Sequence, residues 1–110
     1  MVETLDALKS EFFRSLAHPA RIRILELLVV GDRSVTELLP AVGVEASNLS
    51  QQLGVLRRAG IVSARREGNS VTYSITSPHI AGLLAVARTV LSGLVDEQVD
   101  ALGRATGELP

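Results

Sequence analysis

Leu5, Leu8, Phe12 and Leu16 recur at spacings of three and four, which predicts an amphipathic helix over residues 3–17. His18-Pro19 interrupts the pattern, and Pro19 suits the first turn of a new helix. That helix, over about 19–30, carries Ile22, Ile24, Leu25, Leu27, Leu28 and Val29 around most of its circumference and is predicted to be central. Gly31-Asp32 ends it. Ser34 and Glu37 have the spacing of a capping box at the start of a third helix, which Pro40 and Gly43 limit to two or three turns. Ser47 is expected to cap a fourth helix running to Ala59 and stopping at Gly60. Residues 62–66 and 71–75 then alternate at period two around Glu67-Gly68-Asn69-Ser70, the pattern of a hairpin. After Ser77-Pro78 a long helix is predicted over 79–102. Its apolar set includes Ile80, Leu83, Leu84, Val90, Leu91, Leu94, Val95, Val99 and Leu102. The tail GRATGELP has little to bury, so residues 105–110 are expected to fray.

A short capped helix, a turn, a second helix and a hairpin make a helix-turn-helix with a wing, a device that places one helix in a DNA major groove. In the fourth helix Leu49, Leu53 and Leu56 fall at i, i+4 and i+7 and should face the core. Asn48, Ser50, Gln51 and Gln52 are then expected outward, with no acid among them. Glutamine and asparagine can pair bidentately with adenine. Gln51 and Gln52 are therefore the candidate base readers, with Asn48 beside them and Ser47 and Ser50 on phosphates. Arg57 and Arg58 lie near the helix C-terminus, where the dipole stabilises a cation with or without DNA; Arg57 joins the candidate phosphate contacts. Arg65 and Arg66 flank the hairpin tip. Strand alternation puts them on opposite faces, so one is expected to face DNA and the other to lie along the sheet or pair with an acid. Gly68-Asn69 supports positive φ and a compact tip able to approach a phosphate or the minor groove.

The net charge of −1 is uninformative until it is divided along the chain. Residues 1–46 hold 5 basic and 7 acidic residues (−2), residues 47–76 hold 4 and 1 (+3), and residues 77–110 hold 2 and 4 (−2). The basic excess sits where phosphates would be met, and neutralisation acts only over contact distances and about one Debye length. Three aromatic residues (Phe12, Phe13 and Tyr73) cannot make the stacking rows that bind single strands. The absence of cysteine excludes disulfides, thiolate metal sites and thiol redox sensing. No targeting segment is evident, and no apolar run approaches the roughly 20 residues of a membrane helix, which makes the cytoplasm the expected compartment. No serine–histidine–acid grouping is supported by spacing, so an enzyme is not expected.

The blocks HPARIRIL (18–25), SVTELLPAVGVEASNLSQQLGVLRRAGIV (34–62) and RREGNSVTYSI (65–75) together resemble the ArsR/SmtB family of bacterial repressors, over nearly the whole chain. The resemblance implies a mainly α fold: five helices plus a two-stranded wing, in one domain over 1–104. It also implies a homodimer built through the first and last helices (about 3–17 and 79–102), binding a palindromic operator on double-stranded DNA to repress transcription. The last helix is apolar over more than one face, which agrees with a partner chain on one of them. Leu5, Leu8, Phe12, Leu83, Val90, Leu91, Leu94 and Val95 are the candidate dimer-interface residues.

The family's sensors do not carry over. Where many members place two cysteines at the start of the third helix, this chain has Ser34-Val35-Thr36, and a hydroxyl is no ligand for a soft metal. Where others build a zinc-type site on the last helix, His79 is the sole histidine, with Val90 and Gly93 near the later ligand positions. His18 is expected to position the turn before Pro19, and His79 to be an exposed helix-start residue. No metal or cofactor is expected. The competing reading is a winged-helix module that binds a protein or small ligand without specific DNA binding.

Overall fold

The computed structural model describes residues 3–106, without the side chains of Val99 and of residues 102–106. Five helices and three short strands follow one another: α1 (Leu5–Leu16), α2 (Pro19–Val30), β1 (Arg33–Ser34), α3 (Val35–Val42), α4 (Ala46–Arg58), β2 (Val62–Glu67), β3 (Ser70–Ile75) and α5 (His79–Thr106). The chain divides into two compact units, Met1–Ile80 and Ala81–Pro110.

In the first unit α1, α2 and α3 start where a side chain satisfies orphan backbone donors. Thr4 Oγ1 accepts from the Ala7 amide at 3.0 Å to open α1. His18 Nδ1 accepts from the Ala20 amide at 3.0 Å, fixing the turn ahead of Pro19 as expected. At α3 the capping box is complete: the Glu37 amide donates to Ser34 Oγ (3.1 Å), and the Ser34 amide donates to Glu37 Oε1 (2.9 Å). Hydrogen bonding to Ser34, from its backbone amide first and its side chain second, holds the Glu37 carboxyl below the usual carboxylate range. A carboxyl lowered on folding contributes stability above its unfolded pKa and loses it as pH falls through the folded value. Ser34→Ala should therefore cost about 1 kcal/mol at pH 7, read as a lower urea midpoint at unchanged slope. The part of the loss that runs through the Ser34 side chain and the Glu37 carboxyl should disappear at low pH, and a pH-independent loss would mean that the Ser34 hydroxyl acts only on the Glu37 amide.

The core gathers around α2, which packs against α3, α4 and β3 and buries Ala20, Ile24, Leu25 and Leu28. Its outer end differs from expectation, with Val29 and Val30 exposed at 39% and 78%, because nothing in the described residues covers the last turn. Leu38 of α3 and Leu49, Leu53 and Leu56 of α4 close the core with Ile61 and Val62.

The hairpin pairs β2 with β3 from Val62↔Ile75 to Glu67↔Ser70, leaving the two-residue turn Gly68-Asn69. Gly68 has φ +62, and positive φ is confined to glycine, so only the first turn position adopts it. That is the glycine requirement of a type II′ connection. A third strand was not expected from the sequence: β1 joins the far edge of β3 through Arg33↔Tyr73 and Ser34↔Thr72. Two residues carry no readable period, and the strand exists because β3 offers an unpaired edge.

The second unit is the body of α5, which runs through Thr106 and so passes the expected end at 102. Val86, Val90, Leu91, Leu94 and Val95 are each 50–61% exposed in the single chain, Leu83 is half-buried and Leu84 is buried. The side chains of Val99 and Leu102, and the expected frayed positions 107–110, lie outside the described residues. His79–Gln98 is long and apolar enough, by length and composition alone, to cross a membrane, with mean hydropathy 1.3. This differs from the expectation that no apolar run approaches that length, because Ala, Gly and Thr spread the hydropathy over one continuous helix. Arg88 stands near its middle, where insertion scales charge about 2.5–3.5 kcal/mol for a cation.

Candidate nucleic-acid interface

The helix-turn-helix is α3, the three residues Gly43–Glu45, and α4. Gly43 sits in the left-handed region at φ +77 and donates its amide to Leu39 O at 3.1 Å, the geometry that ends a helix and lets the next begin at once. The first bond of α4 runs from the Leu49 amide to Glu45 O at 2.9 Å, so Glu45 is the N-cap. This corrects the expectation for Ser47, which lies inside the first turn with its side chain exposed. Glu45 makes no side-chain cap hydrogen bond, but an acid there is favoured by the helix dipole.

Leu49, Leu53 and Leu56 face the core as expected, and Ser47, Ser50 and Gln51 are exposed on the opposite side. Gln52 is a correction. It is buried at 5% exposure, accepting from Arg21 Nη1 at Oε1 (2.8 Å) and donating from Nε2 to Asn48 Oδ1 (2.9 Å). The cause lies in the period itself: Gln52 stands three residues after Leu49, on the inward stripe, and α2 supplies a cation to receive it. Asn48 is half-buried at the border of the outward face. Farther along, Arg57 and Arg58 are exposed, and the Arg58 guanidinium folds back to 3.1 Å from where a Cβ on Gly54 would stand. From Ala46 to Arg66 the chain has no acidic residue.

The wing separates its two arginines as alternation requires. Arg65 stands opposite Thr72, shares a face with Glu67, and donates to Glu67, to Asp32 Oδ2 (3.0 Å) and to Ser74 Oγ (2.9 Å). Hydrogen bonding to Arg65 first and to the Ser74 side chain second holds the Asp32 carboxyl below its ordinary range, and Glu67 first and Asp32 second push the Arg65 guanidinium still higher. Arg66 stands opposite Val71 on the other face, exposed, and makes no hydrogen bond or ion pair among the described residues. Arg65 therefore braces the hairpin against the segment before β1, and Arg66 is the free cation of the wing. Asp32, Ser74 and Arg21 belong to this interface and escaped the sequence reading, since each meets its partner only through the fold.

Family-type sensor ligands do not fit the residues present. Ser34 Oγ is occupied by the cap of α3, and Thr36 beside it is exposed. Among the described residues no three His, Cys, Asp or Glu side chains converge as metal ligands would. His79 is exposed at the start of α5.

Residues 18–64 match the profile of the bacterial regulatory protein, arsR family. An uncharacterized HTH-type transcriptional regulator of Mycobacterium tuberculosis, Rv0081, is 66% identical over 101 residues, spanning 91% of this chain and 89% of that protein. The crystal structure of Rv0081 gives a TM-score of 0.81 at 67% identity, covering 89% of this chain and 99% of that one. A biofilm growth-associated repressor of Xylella fastidiosa is 38% identical over 81 residues, 74% of this chain and 71% of the repressor. The solution structure of a homodimeric winged helix-turn-helix DNA-binding domain from Mycobacterium bovis, described as a possible ArsR-family transcriptional regulator, gives a TM-score of 0.74 at 31% identity. That likeness covers 84% of this chain and 86% of the domain.

Proposed function

The chain belongs to the arsR family of bacterial regulatory proteins, and from that premise we propose that it is a dimeric, sequence-specific repressor that binds a palindromic operator in the cytoplasm. The carrying observation is the exposed, acid-free face of α4, on which the Gln51 side-chain amide has no partner among the described residues, beside a wing whose Arg66 likewise has none among them. Gln51 is the base reader, with Asn48 at its border; Ser47, Ser50, Arg57 and Arg66 meet phosphates. Gln52 and Arg65 support that surface from within. The two α4 helices of a dimer would enter successive major grooves about 34–36 Å apart. The exposed apolar positions of α1 (Leu5 at 65%, Leu8 at 51%) and of α5, with half-buried Phe12 and Leu83, are the proposed dimer contacts. The homodimeric Mycobacterium bovis domain supports this assembly. Without thiolates or a histidine pair, the repressor would answer to no soft-metal or thiol signal.

Gel-shift and footprinting on the gene's own upstream region, across salt, metals and pH, test this reading. Gln51→Ala should weaken specific binding by about 1–3 kcal/mol per half-site and leave non-specific binding nearly unchanged. Arg66→Ala should weaken both alike and flatten the log–log salt slope by about 1 per protomer. No shift with either the upstream region or a random-sequence pool would sink the repressor reading and leave a winged-helix interaction module.

A further inference from the structure

Three polar side chains join α2 to α4 in one directed chain: Arg21 Nη1 donates to Gln52 Oε1 (2.8 Å), and Gln52 Nε2 donates to Asn48 Oδ1 (2.9 Å). A guanidinium has donors and no acceptor. Gln52 must therefore turn its oxygen toward Arg21, since the flipped amide would set donor against donor. Its Nε2 is left for Asn48, which must answer with Oδ1. The second anchor of Arg21, Nη2 to Arg14 O at 3.4 Å, holds the guanidinium in place, and its Nε is buried without a partner. Nothing else among the described residues occupies Asn48 Nδ2.

We propose that Arg21 is a specificity-positioning residue: through buried Gln52 it fixes the orientation of the Asn48 amide, with Oδ1 held by Gln52 and Nδ2 left unengaged, so that Asn48 reads DNA chiefly as a hydrogen-bond donor. This rests on the DNA-reading function proposed above. Two neighbouring amides then carry different codes. Gln51 has both side-chain amide atoms free of partners among the described residues and can match a base edge that offers a donor and an acceptor, as adenine does. Asn48, with Nδ2 unengaged and one lone pair of Oδ1 taken by Gln52, favours acceptors such as guanine O6 and N7 or thymine O4. The N4 amine that cytosine presents in the major groove must share Oδ1 with Gln52 and is disfavoured. A free asparagine would make no such distinction.

The test is selection from a random-sequence duplex pool by the full chain and by Asn48→Ala, Arg21→Met and Arg21→Glu. The base preference that Asn48→Ala erases marks the position Asn48 reads. There the unaltered protein should deplete cytosine on the order of tenfold. Arg21→Met removes the donor-only neighbour, lets Gln52 and Asn48 flip together, and should erase that depletion. Arg21→Glu puts an acceptor in its place and should invert the preference toward cytosine or adenine, whose exocyclic amines need an acceptor. The new charge lowers total affinity, but base preference within one pool is a ratio and is unaffected by it. If Arg21→Glu does not fold, Arg21→Met and the side-chain amide resonances of Gln52 in the free protein still decide. The Gln52 resonances should shift and broaden once the guanidinium is gone. The inference is overturned if Asn48→Ala erases no preference, or if the Arg21 variants keep the cytosine depletion. A pool in which the unaltered protein enriches nothing removes the DNA-reading function itself, before any variant is compared.

Discussion

Leu94→Glu should turn the proposed dimer into a monomer at micromolar concentration and abolish the paired footprint expected of it, leaving only salt-sensitive, non-specific binding. Leu94 is 50% exposed in the single chain, beside Val90 and Leu91 one turn back and Val95 next to it. Full burial of a leucine contributes about 1.5–3 kcal/mol, so covering the exposed half yields about 1 kcal/mol per copy. The larger effect is the carboxylate, whose transfer from water into an apolar contact costs several kcal/mol. In an isologous interface the substitution occurs twice. Together these terms weaken association by at least about 1,000-fold, at roughly 1.4 kcal/mol per factor of ten. Sedimentation equilibrium over a concentration series reads the mass directly. The amide chemical shifts of α2–α4 and of the hairpin should stay in place, because Leu94 belongs to the separate compact unit Ala81–Pro110. A variant that keeps the dimer mass would remove α5 from the interface.

What could be read from the sequence was what local chemistry decides. Ser34 and Glu37 announce the capping box because both partners lie within one turn. Gly43 and Gly60 mark helix ends because φ near +77 is costly for any residue with a Cβ. The hairpin was readable because Gly68-Asn69 is a turn bounded by alternating residues. Tertiary partners decided the rest. Gln52 looks like a surface glutamine until Arg21, 31 residues away, receives it; its place three residues after Leu49 was the one local sign. Which wing arginine is free depended on Asp32, which precedes a strand that exists only beside β3. Ser47 had the chemistry of an N-cap, but the Gly43 turn delivers the chain into α4 early enough for Glu45 O to take the first bond. The proposed recognition surface was thus legible in its residue types and in the exposure of Ser50 and Gln51, but not in the burial of Gln52.

Leu56→Ala should lower folding stability by about 2–5 kcal/mol, the largest loss expected from one side chain of the reading head. Leu56 is fully buried, and its carbonyl accepts the Ile61 amide at 3.0 Å, so it lies where the end of α4 is tied to the chain entering β2. Removing three carbons there forfeits their transfer free energy and leaves a cavity. The helix cannot move inward to fill it while Leu49 and Leu53 hold its other turns. Against a total of about 5–15 kcal/mol for a small domain, the variant should remain mostly folded at 20 °C, with its urea midpoint lowered in proportion. Operator affinity should then fall only slightly, because Gln51 and Ser50 keep their exposed positions on an intact helix. The contrast with Gln51→Ala is the informative part: one variant loses stability and keeps recognition, the other the reverse. Equal loss of operator affinity in both would mean that α4 is placed on DNA by this packing, and not by its own polar face. A stability change below about 1 kcal/mol would mean that the core under α4 collapses freely around the missing atoms.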